Sequence, residues 1–330
     1  MDQTILENSL YKTRLRENKD AITFFTPTYN RAQLLSRVYS SLLNQTRKDF
    51  VWILVNDGSC DDTEQIAKQF LLKEEIPLLF ISKLNGGKHS AFKAALEVTE
   101  TNYFMCLDDD DLYSEQSTEV LLEEWNRIEK EKKSDIGAIR TLTFDADNDT
   151  IMSKPAVKKT EIGQRYDVSS LDRIYKDNII QENWTCYKTE ALRQTNLFGS
   201  YWLSDQHKFF SEAIWQSRFA RRFKCRYYYI VLRTYRRDTV NSLTRAIKTR
   251  QYYLDMFINS KLSLDENYDY LKLKKKKLIE TVLLVSVLRH KLRIPFNELI
   301  KHTNRKSLKR VYFLLFPINC FVIKPIIPSK

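Results

Sequence analysis

Between residues 22 and 131, four short apolar runs alternate with four stretches of helical periodicity, and that rhythm admits few folds. The runs are residues 22–26, 50–55, 77–82 and 103–107, and the spacing predicts helices over 32–44, 61–72, 90–98 and 114–131. In the first helix Leu34, Leu35, Val38, Leu42 and Leu43 are expected on the inner face. Strands joined by helices of this length need right-handed crossovers, so the sheet is expected to be mostly parallel and covered on both faces. Ligands of such sheets collect just outside the carboxyl ends of the strands. Each run ends there in a polar motif: Pro27-Thr28-Tyr29-Asn30-Arg31, Asn56-Asp57-Gly58-Ser59, Asn85-Gly86-Gly87-Lys88-His89 and Asp108-Asp109-Asp110-Asp111. One rim should therefore carry all four.

The acidic motif says most about chemistry. Four adjacent carboxylates repel one another unless a cation or raised pKa values relieve them. If the strand continues through them, Asp108 and Asp110 face one way and Asp109 the other. Two hard oxygen ligands at that spacing suit Mg²⁺ or Mn²⁺, with phosphate oxygens completing the shell. A solvated acidic turn, or a cap for the helix after it, is the plainer alternative. Asp57 reads either as a ligand acceptor or as an ordinary turn residue. Asn85 and Lys88 combine flexible backbone with one cation, which suits phosphate or sugar oxygens, although the glycines between them also serve a turn. Tyr29 beside Pro27 is placed to stack on a planar base, or to enter the core.

The second half is less regular. Residues 136–144, 183–188 and 225–235 read as strands, and the charged stretch 145–165 as a mobile loop over the site. Trp184 is a candidate sugar contact, with core packing the alternative. A helix opening in residues 204–212 should turn Phe209, Phe210, Ile214 and Phe219 inward, and it brings two carboxylates, Asp205 and Glu212. Arg233 and Arg236 are read as surface charge, whereas Arg245 is a candidate clamp for diphosphate oxygens.

From residue 250 the pattern is helical and basic. Residues 246–330 hold 18 Lys/Arg against 6 Asp/Glu, a surplus of 12 that equals the net charge of the whole chain. Lys272 and Lys274 to Lys277 precede one apolar segment, and Arg305, Lys306, Lys309 and Arg310 precede another. No apolar run reaches the roughly 18 residues that span a bilayer. Basic clusters beside short apolar helices suit an interfacial helix on an anionic leaflet, or helices packed on the catalytic domain with a solvated basic face. Five scattered cysteines, with no Cys-x-x-Cys pair and no apolar signal core in residues 1–20, point to free thiols in a cytoplasm. Four dispersed histidines argue against a zinc site.

Taken together, the four rim motifs resemble those of family-2 glycosyltransferases of the GT-A fold, in the family's order over about residues 22–126. The resemblance implies an α/β, Rossmann-like, mostly parallel sheet in a catalytic domain over 1–245, with a nucleotide-sugar half near 20–130, an acceptor half near 131–245, and a basic helical extension over 246–330. It implies that Pro27 and Tyr29 bracket a base and that Asp57 reads the base edge, with Asn56 where the family has a first acid. It places the Asp-x-Asp signature on Asp108-Asp109-Asp110: Asp108 and Asp110 hold Mn²⁺ or Mg²⁺, Asp110 most directly, and Asp109 lies near the ribose. The catalytic base falls on Glu212, with Asp205 the rival. The implied reaction is inverting transfer from a nucleotide-diphosphate sugar, uridine being the family's commonest base, to a glycan or lipid-linked hydroxyl in surface-polysaccharide synthesis at the cytoplasmic face of the membrane. Two other classes fit less well. A sugar nucleotidyltransferase should carry a Gly-rich loop with Arg and Lys where this chain has Pro27-Thr28-Tyr29-Asn30, and a nucleic-acid binder should not place acids in its cleft.

Overall fold

A strand and a helix occupy residues 4–17, a stretch with too little apolar periodicity to predict either. Strand β1 (Thr4–Glu7) adds to the sheet edge antiparallel to the strand at residues 78–82. Helix α1 (Ser9–Glu17) follows, its N-terminus capped by the Asn8 side chain, which accepts from the Tyr11 amide. Only one residue of β1 is even partly buried, so its apolar pattern is too weak to read as a strand. The computed structural model describes residues 3–199, 201, 203, 209–236 and 249–313. It separates into two units, Met1–Leu197 with Arg218–Asn241, and Phe198–Ser217 with Ser242–Lys330. The domain boundary expected at 245/246 lies outside the described residues.

The first unit alternates as the rhythm predicts. Its elements run β2 (Ile22–Thr28), α2 (Ala32–Leu43), β3 (Phe50–Asn56), α3 (Thr63–Lys73), β4 (Leu78–Ser82), α4 (Lys88–Val98) and β5 (Tyr103–Cys106). Then come β6 (Leu112–Tyr113), α5 (Ser117–Lys130), β7 (Ile136–Asp145), β8 (Thr150–Ile151), β9 (Ser153–Lys154), β10 (Arg165–Val168), α6 (Ser170–Tyr175), β11 (Ile180–Gln181), β12 (Asn183–Lys188) and α7 (Thr189–Gln194). Helix α8 (Glu212–Ala220), whose residues to Ser217 belong to the second unit, leads into β13 (Lys224–Tyr235) of the first. The main sheet runs β1-β4-β3-β2-β5-β12-β7-β13-β10, with β6 on β13 and β8 on β7. Strands β4, β3, β2 and β5 are parallel, whereas β12 runs antiparallel to both β5 and β7.

Every residue of β3 is buried, as a strand covered on both faces requires. Helix α2 turns Leu35, Val38, Tyr39 and Leu42 inward, while Leu34 is only half-buried and Leu43 is exposed. Tyr39 takes the inner place instead, stacked on Phe70 at 4.3 Å between ring centroids. Fully burying a large side chain such as Trp52 or Phe24 contributes roughly 1.5–3 kcal/mol. The stretch 145–165 is partly built rather than a bare loop: β8 pairs back onto β7, and β9 pairs with β11.

Pro27 sits within β2 at no cost to the ladder. Pairing of β2 with β5 ends at Phe25 and Cys106, whereas pairing with β3 continues to Thr28 and Asn56. Phe25 and Pro27 present backbone to the same side, so the missing N–H of Pro27 falls where β5 has already left. The two strands part there, and the acidic motif fills the gap.

The second unit contains α9 (Arg250–Leu271), α10 (Lys275–Lys291) and α11 (Phe296–Lys301), with helical residues again at 306–313. A side-chain clamp joins its two chain segments: Asn259 on α9 donates to the Phe209 carbonyl at 2.9 Å and accepts from the Ser211 amide at 3.0 Å. Phe209, expected inside, is 55% exposed because α8 begins only at Glu212 and Phe209 precedes it. Phe210, Ile214 and Phe219 are buried as expected. Among the described residues no helix is long and apolar enough to cross a membrane.

Candidate active site

The turns after β3 and β4 are tied together by one carboxylate. Asp57 is buried and accepts from the Gly86 amide at 3.0 Å, the Gly87 amide at 2.7 Å and the Lys83 ammonium at 2.6 Å. Asn85 donates its side-chain amide to the Asp57 carbonyl at 2.9 Å. Gly58 makes the approach possible. Its φ is +82°, and a Cβ there would stand 2.7 Å from the Asn85 amide nitrogen, so no other residue fits without moving the loop. Asp57 thus shapes the Gly86-Gly87 turn and the start of α4, besides whatever it offers a ligand. Pro27 and Tyr29 lie on the same rim, and Tyr29 is 48% exposed rather than taken into the core.

The acidic motif departs from strand alternation because β5 ends at Cys106. Asp109 and Asp110 converge on one guanidinium, Arg31 Nη1 lying 2.6 Å from the first and 3.0 Å from the second. Asp109 also accepts from the Thr28 hydroxyl at 3.1 Å. Asp108 turns instead to Lys88 at 2.7 Å, and Tyr113 fixes its backbone by donating to the Asp108 carbonyl at 2.9 Å. Asp111 faces Arg233 at 3.5 Å, and Arg233 also pairs with Glu182 at 2.9 Å. With Glu182 counted on Arg233, five carboxylates face only the three cations Arg31, Lys88 and Arg233, so the cluster carries formal negative charge in excess.

The electrostatics follow from that imbalance. Burial pushes Asp109 up to about 6, with Arg31 pulling against the rise and Asp110 and Asp108 adding to it. Burial likewise pushes Asp111 up to about 7 against the pull of Arg233. For Asp108 burial also works upward, but Lys88 and Arg233 outweigh it and hold the carboxyl below the usual carboxylate range. Oδ1 of Asp111 is buried with no hydrogen-bond partner. A divalent cation suits this set: the donors are hard oxygens, the charge is unbalanced, and the Asp108 and Asp110 side chains remain 31% and 22% accessible. Among the described residues no three His, Cys, Asp or Glu side chains are grouped as a complete cage. Two carboxylates completed by a ligand's phosphate oxygens are the kind of site that remains.

A pH dependence follows for the metal-free protein. The Asp111 carboxyl titrates near 7 when folded and near 4 when unfolded, so between those values the folded state binds more protons and stability falls as pH rises. Asp111→Asn removes that loss. In a chelator-treated calorimetric series the variant should match wild type near pH 4 and exceed it above pH 7, by a few kcal/mol at most, or several degrees. A difference that stays constant across the range would refute the assignment.

Other expected residues stand elsewhere. Trp184 is no sugar contact: it is buried, its indole donates to the Cys106 carbonyl at 2.7 Å, and its ring packs on Tyr113 at 4.6 Å. It backs the acidic motif from within the core. Arg233 is not surface charge but a buried cation, delivered to the motif by the pairing of β6 with β13. Arg31 lies inside a motif already singled out, yet its role needed the third dimension. Glu212 is exposed at the first turn of α8, directly after the segment held by Asn259. Asp205 and Arg245 lie outside the described residues.

Residues 23–185 match the model of glycosyl transferase family 2. The chain is 34% identical over 126 residues to the minor teichoic acid biosynthesis protein GgaB of Bacillus subtilis (strain 168), a match covering 38% of this chain and 14% of GgaB. It is 32% identical over 117 residues to an uncharacterized glycosyltransferase of Rickettsia bellii, covering 36% of this chain and 16% of that protein. Both matches take in well under a fifth of the relative's own length. In fold the chain is similar to S. aureus TarS 1–349 solved in complex with UDP-GlcNAc, at a TM-score of 0.55 and 14% identity, over 91% of this chain and 86% of that one.

Proposed function

With residues 23–185 placing this chain among the family-2 glycosyltransferases, we propose that it moves a sugar from a nucleotide-diphosphate sugar to a hydroxyl of a glycan or lipid-linked acceptor, inverting the anomeric carbon. The observation that carries this reading is the under-compensated carboxylate cluster at the carboxyl ends of parallel strands, beside a glycine turn and an exposed tyrosine. A uridine nucleotide is the first choice of donor, supported by the UDP-GlcNAc complex of a protein of like fold. A surface polymer is the acceptor favoured by the teichoic acid relative. We assign residues 1–245 to catalysis and 246–330 to an extension, with the protein at the cytoplasmic face of the membrane.

In this reading Tyr29 stacks on the base with Pro27 beside it, and Asp57 meets the base edge while holding the Gly86-Gly87 turn. Asn85 and Lys88, at the turn and the start of α4, meet phosphate or sugar oxygens, the Lys88 ammonium supplying the positive charge. Asp109 is held by Thr28 and Arg31 near the ribose. Asp108 and Asp110 hold Mn²⁺ or Mg²⁺, which when bound neutralises charge on the departing diphosphate. Arg245 adds a cation on the same oxygens. Glu212 accepts the proton of the acceptor hydroxyl as that oxygen attacks the anomeric carbon, opposite the leaving group. Single displacement inverts the centre.

The test is a panel of nucleotide sugars read by thermal unfolding with and without Mn²⁺. One sugar nucleotide at about a hundred times its dissociation constant should add about 2.7 kcal/mol, several degrees, and only with the metal present. A panel in which nothing shifts the transition sinks the reading.

A further inference from the structure

Helix α10 carries aliphatic side chains on two opposite sides, and among the described residues only one of those sides is covered. Val282, Val285 and Leu288 are buried within the second unit. On the other side Ile279, Leu283 and Val287, spaced four residues apart, are 58%, 38% and 39% exposed, with Leu284 at 38% beside them. The stripe from Ile279 to Val287 runs about 12 Å along the axis. Grouped aliphatic side chains left in water on one helix face mark a surface for contact with something apolar.

The charges around the stripe bear on what it meets. Lys275, Lys276 and Lys277 are exposed at one end of the helix, and Lys291 and Arg293 flank the other. Glu280 is the only acid in residues 272–293. We propose that α10 docks on an anionic phospholipid surface, with the four aliphatic side chains among the upper acyl carbons and the lysines among the headgroups. A protein partner is the poorer fit. The stripe has no aromatic or arginine anchor of the kind that dominates protein interfaces, whereas long lysine stems reach past an apolar stripe to headgroups. The docking deepens the reading of a lipid-linked acceptor, and rests on it for its purpose, because a docked enzyme and such an acceptor share one surface.

The full 330-residue protein should co-sediment with phosphatidylcholine vesicles containing a quarter phosphatidylglycerol, bind pure phosphatidylcholine at least about tenfold less, and come off as salt rises. Replacing Ile279, Leu283 and Val287 together by Gln should cut binding at least tenfold with melting unchanged, since all three are exposed. Should that variant lose helix content, Leu283→Gln alone gives the same comparison. Replacing Lys275, Lys276 and Lys277 by Gln should cost about fivefold per cation. Equal binding by wild type and the stripe variant overturns the proposal. So does a stripe-dependent dimer that ignores vesicles, which would make this face a contact between two copies. No donor enters the assay, so its failure leaves the nucleotide-sugar screen standing, and the reverse holds too.

Discussion

Replacing Asp108 and Asp110 together by Asn is expected to lower sugar transfer by about a thousandfold or more, equivalent to roughly 4 kcal/mol of lost transition-state stabilisation. The argument is one of charge rather than shape. Asparagine keeps the volume and one acceptor oxygen, so packing around Tyr113 and Arg31 need not change. The formal balance, with Glu182 counted on Arg233, moves instead from two negative charges in excess to none. A cluster that draws in a cation thereby loses two anionic hard-oxygen ligands and its net attraction for one. Donor-induced stabilisation in the presence of Mn²⁺ should vanish with the activity. The metal-free protein should melt within a few degrees of wild type, because the lost pairing of Asp108 with Lys88 and Arg233 is offset by relief of Asp109 and Asp111, to whose raised pKa values Asp108 and Asp110 add. That last measurement separates a chemical defect from a folding one. A double variant with full transfer activity would mean that the diphosphate is neutralised elsewhere.

How far the sequence reached depends on whether a residue's fate is decided locally. Strand β12 could be read to the residue, because Trp184-Thr185-Cys186-Tyr187 is a strand-favouring run between polar Asn183 and Lys188. All four rim motifs sit at strand ends, since a parallel α/β rhythm puts them there whatever the side chains do. Pairings across long separations were beyond reach. Arg233 lies 122 positions from Asp111 and meets it only because two residues of β6 pair with β13, an element too short to leave a periodic trace. Trp184 shows the opposite error: an indole near a site suggests a sugar platform, but its N–H is already taken by a backbone carbonyl inside the core. The alternation argument for Asp108 and Asp110 failed because it assumed that β5 continues. The strand stops at Cys106, and from there the side chains follow their cations instead of a pleat.

Glu212→Gln is the second large effect expected: transfer should fall by about a hundredfold to ten-thousandfold, the usual worth of a positioned general base, while donor binding stays as in wild type. The reasoning separates two requirements. In the proposed reading donor binding draws on Tyr29, Asp57, Lys88 and the acidic cluster, whereas Glu212 acts on the acceptor hydroxyl. A base also needs a fixed backbone and an accessible carboxylate. Asn259 supplies the first by bonding the Phe209 carbonyl and the Ser211 amide, and the exposure of Glu212 at the first turn of α8 supplies the second. Glutamine keeps the length and hydrogen-bonding reach but cannot take the proton. A near-normal thermal shift with UDP-sugar and Mn²⁺, beside lost turnover, is the signature of that single missing step. If turnover survives, the role passes to Asp205, and Asp205→Asn should then show the same split between binding and chemistry. If neither variant separates the two, no carboxylate in this segment removes the proton.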